Sequence, residues 1–174
     1  MSSVTHTWYA PYDKSSPVDS LKHVIPPRPE DYEPFVNYAL SKALNVMTAM
    51  EQQRRWGSNG TAIAVSAHPG VVPTDLWKAS LRPEIDAFIY NKAWGWMTKN
   101  LSQSASTTIY TLVAPSVPSE ARTALAEGGD GNPGSTYYAH NRLTKTDGFN
   151  QHLTNFELIK AAWELSENLV KKWL

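Results

Sequence analysis

A chain of 174 residues, 41% apolar and 18% charged, has the composition of one globular domain with a core of its own, which excludes a disordered polymer. Sixteen basic and sixteen acidic side chains leave no net charge, so no long-range field draws the chain to nucleic acid or an anionic membrane. The absence of cysteine excludes disulfides and thiolate metal sites, and the apolar runs are broken well short of a bilayer span.

Residues 1–31 read as loop, because Pro11, Pro17, Pro26, Pro27 and Pro29 interrupt any period. Residues 2–9 are too polar for a secretory leader. A helix is expected over residues 34–55, with Pro34 suited to a first turn and Asp31 and Glu33 favourable at its positive end. Phe35, Ala39, Leu40, Ala43, Leu44, Val46, Met47 and Met50 give it an apolar face, and Gly57 and Gly60 stop it. Residues 61–67 form a short apolar run that fits a buried strand, ended by His68-Pro69-Gly70. Residues 74–100 are rich in aromatics, among them Trp77, Phe88, Tyr90, Trp94 and Trp96. A second helix is expected over 102–113, stopped by Pro115 and Pro118, and a strand over 135–140 through Thr136, Tyr137 and Tyr138. The last helix is expected over 154–173, with Phe156, Ile159, Trp163, Val170 and Trp173 as a core stripe widened by Ala162, Leu165 and Leu169. Alternating helices and strands imply a parallel sheet covered by helices, although two strands are few for such a sheet.

The residues with chemistry begin at Tyr38-Ala39-Leu40-Ser41-Lys42, followed by Asn45. Tyr38 and Lys42 stand four apart and share one helix face. An ammonium beside a phenol favours phenolate, lowering its pKa from the usual value of about 10, and equips Tyr38 for proton transfer nearer neutrality. The same spacing also suits an ordinary amphipathic helix with a packed tyrosine and a solvated lysine. Downstream, the buried strand ends in His68-Pro69-Gly70-Val71-Val72-Pro73-Thr74. A Pro-Gly exit lets a ligand approach the backbone closely, at the edge where open α/β sheets bind ligands.

Three other features carry less. Residues 129–134 (Gly-Asp-Gly-Asn-Pro-Gly) have Gly-x-Gly-x-x-Gly spacing, but a polar, helical stretch precedes them, a strand follows, and Pro133 lacks an amide. They read as a surface turn. His6, His23, His68, His140 and His152 show no metal-ligand spacing, and His68 reads as a hydrogen-bonding residue at a strand end. The aromatics of residues 77–96 suit a pocket lining, a core or a subunit contact alike.

The combination of Tyr-x-x-Ser-Lys-x-x-Asn, an apolar strand and Pro-Gly-x-x-x-Thr resembles the short-chain dehydrogenase/reductase family, nearest its retinol-dehydrogenase-like branch. The likeness runs through nearly the whole chain, including Thr136-Tyr137-Tyr138 and Trp163-Glu164-Leu165-Ser166-Glu167-Asn168. It implies the carboxyl-terminal part of a Rossmann-like, doubly wound parallel sheet, with residues 1–174 forming one incomplete domain that lacks the amino-terminal βαβ units. It implies hydride transfer between NADP or NAD and a small apolar carbonyl or alcohol substrate, with Ser3, Tyr38 and Lys42 catalytic. Tyr38, Lys42, Gly70, Val72 and Thr74 would meet the nicotinamide end. Cofactor binding is expected to be incomplete in this chain, and the chain alone to have little activity. The helix bearing Tyr38 is a possible homo-oligomer contact. The alternative expectation is a non-catalytic truncated member that acts by association with full-length relatives. Either way the expected location is cytoplasmic, with no nucleic-acid partner and no membrane segment.

Overall fold

The structure, a computed structural model, describes residues 18, 21, 34–57, 60, 62–72, 98–127, 136–144, 153 and 155–173. Ser3, Thr74, the aromatics of 77–96 and the glycine turn at 129–134 lie outside the described residues.

Helix α1 spans Pro34–Gln52. Ala39, Leu40, Ala43, Val46, Met47 and Met50 are buried at helical spacing, as the pattern predicts. Its end departs from expectation: the α-helix gives way to a π-turn over Gln53–Gly57. Gln53 accounts for the wider turn. Its side chain fills the space that a Cβ on Gly57 would need, and its Oε1 accepts the Ala64 N–H at 2.8 Å. The carboxyl end of α1 is thereby tied to the approach of the first strand.

Strand β1 (Ser66–His68) pairs in parallel with β2 (Tyr137–Ala139), with Ser66 opposite Tyr137 and His68 opposite Ala139. The ladder starts later than the apolar run suggests and includes His68. A third strand, β3 (Arg142–Leu143), pairs antiparallel with β2, so the described sheet is mixed rather than all parallel. The turn between them consists of His140 and Asn141, with φ of 53° and 60°. Two left-handed residues in succession make the turn that matches strand twist, and Asn suits it.

Helices α2 (Leu101–Val113) and α3 (Val117–Glu127) connect β1 to β2. Asn100 caps α2 through a reciprocal pair: its side chain accepts from Gln103 N–H, and the Gln103 side chain accepts from Asn100 N–H. Pro118, expected as a stop, instead sits in the first turn of α3, where a missing N–H breaks no hydrogen bond. Helix α4 (Phe156–Val170) starts at Asn155, whose side chain accepts the Leu158 N–H at 3.1 Å, and ends in a 3-10 turn over Lys171–Trp173.

Side chains alternate across a strand, and β2 shows what each face meets. Tyr137 and Ala139 join Leu40, Ala43, Val46, Met47 and Met50 of α1 and Leu158, Ile159 and Ala162 of α4 in one buried cluster. Tyr138 points the other way. Its ring lies 6.3 Å from that of Tyr110 on α2, and its hydroxyl donates to Glu120 Oε2 on α3 at 2.8 Å. The described chain is thus an α/β arrangement of a small sheet between two helix pairs. The expected stripe on α4 is core only in its first half: Ile159 and Ala162 are buried, while Leu169, Val170 and Trp173 are exposed. No described helix is long and apolar enough to cross a membrane.

Candidate active site

Tyr38 and Lys42 lie in the amino-terminal half of α1, both half-buried, on the face their spacing predicts. The Lys42 ammonium stands over the Tyr38 ring, 5.1 Å from its centroid, within the range of a cation–π contact. Between them Ser41 is exposed, and its hydroxyl donates to the Tyr38 carbonyl at 2.7 Å. Lengths relate this pair to the strand exit. The Gln53–Ala64 contact fixes the carboxyl end of α1 near the amino end of β1, and α1 packs on β1. Fifteen helical residues from Gln53 back to Tyr38 rise about 22 Å. Six extended residues from Ala64 to Gly70 advance about 20 Å. Tyr38 and Gly70 therefore belong to the same end of the sheet, beyond the carboxyl ends of β1 and β2.

At that edge Gly70 takes φ +94°, a conformation that side chains with a Cβ rarely adopt. Its open flank serves the chain itself: a Cβ there would stand 2.6 Å from Lys99 Cδ. The Lys99 N–H also donates to the Val71 carbonyl at 2.8 Å, so residues 98–100 are stitched to the strand exit. The sequence suggests that Gly70 makes room for a ligand; among the described residues its neighbour is the lysine stem. Val72 is half-buried two residues on. His68 is buried and stacks on Tyr137, with ring centroids 6.5 Å apart and 18° between planes.

These residues suit only one end of a dinucleotide. Tyr38 offers a hydroxyl and Lys42 an ammonium from one helix face, donors suited to a ribose and to an oxygen that gains negative charge. A pyrophosphate instead needs a glycine turn between a strand and a helix start, and no described residues form one.

Two groups of residues emerge that the sequence pattern did not single out. One is Glu51, fully buried, which accepts from Arg54 Nε at 2.8 Å and from Arg54 Nη2 and Arg55 Nε at 2.7 Å. Arg54 lies over the Phe156 ring and Arg55 over Trp163, which also meets Trp56 edge-on at 6.0 Å. Burial alone would raise the Glu51 carboxyl, but the two guanidinium groups outweigh it and hold it below the usual carboxylate range. A glutamate followed at i+3 and i+4 by arginines was the available signal. The other group, around Lys99 and His140, joins residues about forty apart in sequence and had no local signature. Burial raises the Tyr137 and Tyr138 phenols above their ordinary range, with Glu120 adding to the effect at Tyr138.

Comparison of the chain with protein-family models, curated proteins and solved structures finds no match.

Proposed function

We propose that the chain is the catalytic and substrate-binding part of an NAD(P)-dependent oxidoreductase of the short-chain dehydrogenase/reductase type. One observation carries the reading: Lys42 held over Tyr38 in the amino-terminal half of a helix that packs on a parallel strand pair, at the carboxyl edge of those strands. The finer fold assignment, part of a Rossmann-like doubly wound sheet, belongs to the same proposal. It is supported by the parallel β1–β2 pairing and by helices on both faces.

In this mechanism a nicotinamide, when bound, would supply or accept the hydride. The chain's own residues manage the proton. Tyr38 donates its phenolic hydrogen to the substrate oxygen in the reducing direction, and takes it back in the other. Lys42 lies over the Tyr38 ring and offers a donor to the ribose. Ser3 orients the substrate oxygen, and Gly70, Val72 and Thr74 line the nicotinamide end. An apolar carbonyl or alcohol is the fitting substrate class, and the helix of Tyr38 is the proposed subunit contact.

The chain alone is expected to have little activity, so the test compares that small turnover of NADPH or NADH with apolar aldehydes and ketones between wild type and Tyr38→Phe. General acid–base catalysis contributes about 10²–10⁴-fold, so the variant should lose at least two orders of magnitude while keeping its circular dichroism spectrum. Full turnover by Tyr38→Phe would remove the tyrosine from this role.

A second reading is that the chain acts by association without catalysis. It is favoured by the exposed apolar side chains of α2, where Ile109, Leu112 and Val113 face solvent. Titration with NADPH and NADH separates the two: micromolar binding supports the enzyme, and its absence together with a stable hetero-complex supports the interactor.

A further inference from the structure

On the α2 side of the carboxyl edge, the exits of β1 and β2 and the first turns of α2 surround a cleft of about 460 Å³. Thr98, Lys99, Gln103, Ser106, His140 and Asn141 line it. Its charge is of one sign. Partial desolvation, and then the positive fields of Lys99 and Arg142, hold the His140 imidazole below its usual pKa, so it stands as a neutral base beside two positive charges. Among the described residues no carboxylate pairs with any of them; the ion pairs of Glu51 lie at the far end of α1.

The basic wall is built rather than incidental. Lys99 is anchored twice, by its backbone on Val71 and by its stem on Gly70, which aims a long side chain that is otherwise rich in rotamers. His140 occupies a left-handed position in a two-residue turn where Asn or Gly would be at ease, so a bulkier base stands there at some conformational cost. Ser106 donates to the Gln103 carbonyl at 2.7 Å and lies 3.2 Å from Asn141 Oδ1, which braces the turn against α2. An anion in the cleft offsets the field that withholds a proton from His140, and hydrogen bonds to charged oxygens are the strong ones.

We propose that this cleft binds a phosphate group, free or as a phosphomonoester, through Lys99 and His140. A phosphate dianion favours protonation of His140 beside Lys99 and so gains a second charged donor, which a singly charged carboxylate does less and a neutral ligand does not. The inference does not rest on the oxidoreductase reading, since it concerns the α2 side of the edge and requires no nicotinamide.

Calorimetric titration of the full chain at neutral pH and low salt tests it, with inorganic phosphate, phenyl phosphate and acetate as ligands and no nicotinamide present. Phosphate should bind saturably with Kd of about 1 mM or tighter, and acetate about tenfold more weakly. A tighter phenyl phosphate than inorganic phosphate would assign the site to esters, and the reverse to the free ion. Lys99→Gln keeps the stem on Gly70 and should weaken phosphate about tenfold. His140→Asn places a turn-favouring residue at the same position and should weaken binding without lowering the melting temperature. Arg122→Gln, on the exposed side of α3, should change nothing. The proposal is overturned by the absence of saturable phosphate binding, by acetate binding as tightly as phosphate, or by Lys99→Gln and His140→Asn both binding like wild type.

Discussion

Glu51 shows how one side chain can set a pH response. Its carboxyl is buried and receives three hydrogen bonds from Arg54 and Arg55, which in turn lie over Phe156 and Trp163 of α4. Because the folded carboxyl titrates below its unfolded value, the folded state binds fewer protons. The resulting stabilisation is fully present above the unfolded pKa of about 4.3 and is lost as pH falls through the folded value. Glu51→Gln should cost about 1–3 kcal/mol at pH 7, because the arginines keep partial access to water but lose the negative charge and one of the two acceptor oxygens. Urea unfolding at pH 7 and at pH 3 measures this: the gap between wild type and variant should shrink at the acid pH, and an unchanged gap would contradict it. Gly70 is the second such residue. Gly70→Ala should cost about 1–3 kcal/mol through its positive φ, plus the contact with Lys99. Lys99→Ala in the same chain should recover only the contact part, so the two substitutions should be non-additive by urea unfolding.

At the scale of elements, most of what was legible came from period and punctuation. The apolar spacing of α1 fixed its buried face, and the β-rich tripeptide at 136–138 located β2, because burial there follows directly from pattern. The ends were less legible because they depend on side chains reaching the backbone. Asn100 and Gln103 form a capping box that was readable as Asn-x-x-Gln, yet the helix was expected to start later, at Ser102. Asn100→Ala should cost about 1 kcal/mol, checked by the urea midpoint, with Gln103→Ala costing less. The π-turn was not legible, since it depends on Gln53 folding onto Gly57 and reaching Ala64. Nor was β3, whose His-Asn turn lacks the usual Asn-Gly signal. Of the candidate site, the Tyr38–Lys42 pairing was legible from i, i+4 spacing alone. The filling of the Gly70 flank by Lys99 was not, because nothing local to either residue encodes a meeting across twenty-nine positions.

Among the described residues the surface is lopsided. Tyr137 and Ala139 face a closed core between α1 and α4, but on the opposite layer Leu101, Ile109, Leu112 and Val113 of α2 remain 54–79% exposed. Beneath them an apolar cleft of about 520 Å³ is lined by residues that include Trp56, Ile63, Val65, Leu112 and Val117. β1 is an edge of the described sheet, next to this same layer. Single exposed apolar residues are ordinary, whereas four on one helix mark a surface that gains by being covered. Another exposed set, Leu169, Val170 and Trp173, lies at the end of α4. If the exposed α2 layer, rather than the helix of Tyr38, is the contact, a double substitution Ile109→Lys with Leu112→Glu should make the chain monomeric by sedimentation velocity, where the wild type shows concentration-dependent association. The same charge change at Val170 and Trp173 should leave the association intact. Both altered positions on α2 are already solvated, so the double variant should unfold within about 0.5 kcal/mol of wild type, which separates loss of association from loss of fold. A wild type that is monomeric throughout, or association that only the α4 variant abolishes, would place the contact elsewhere.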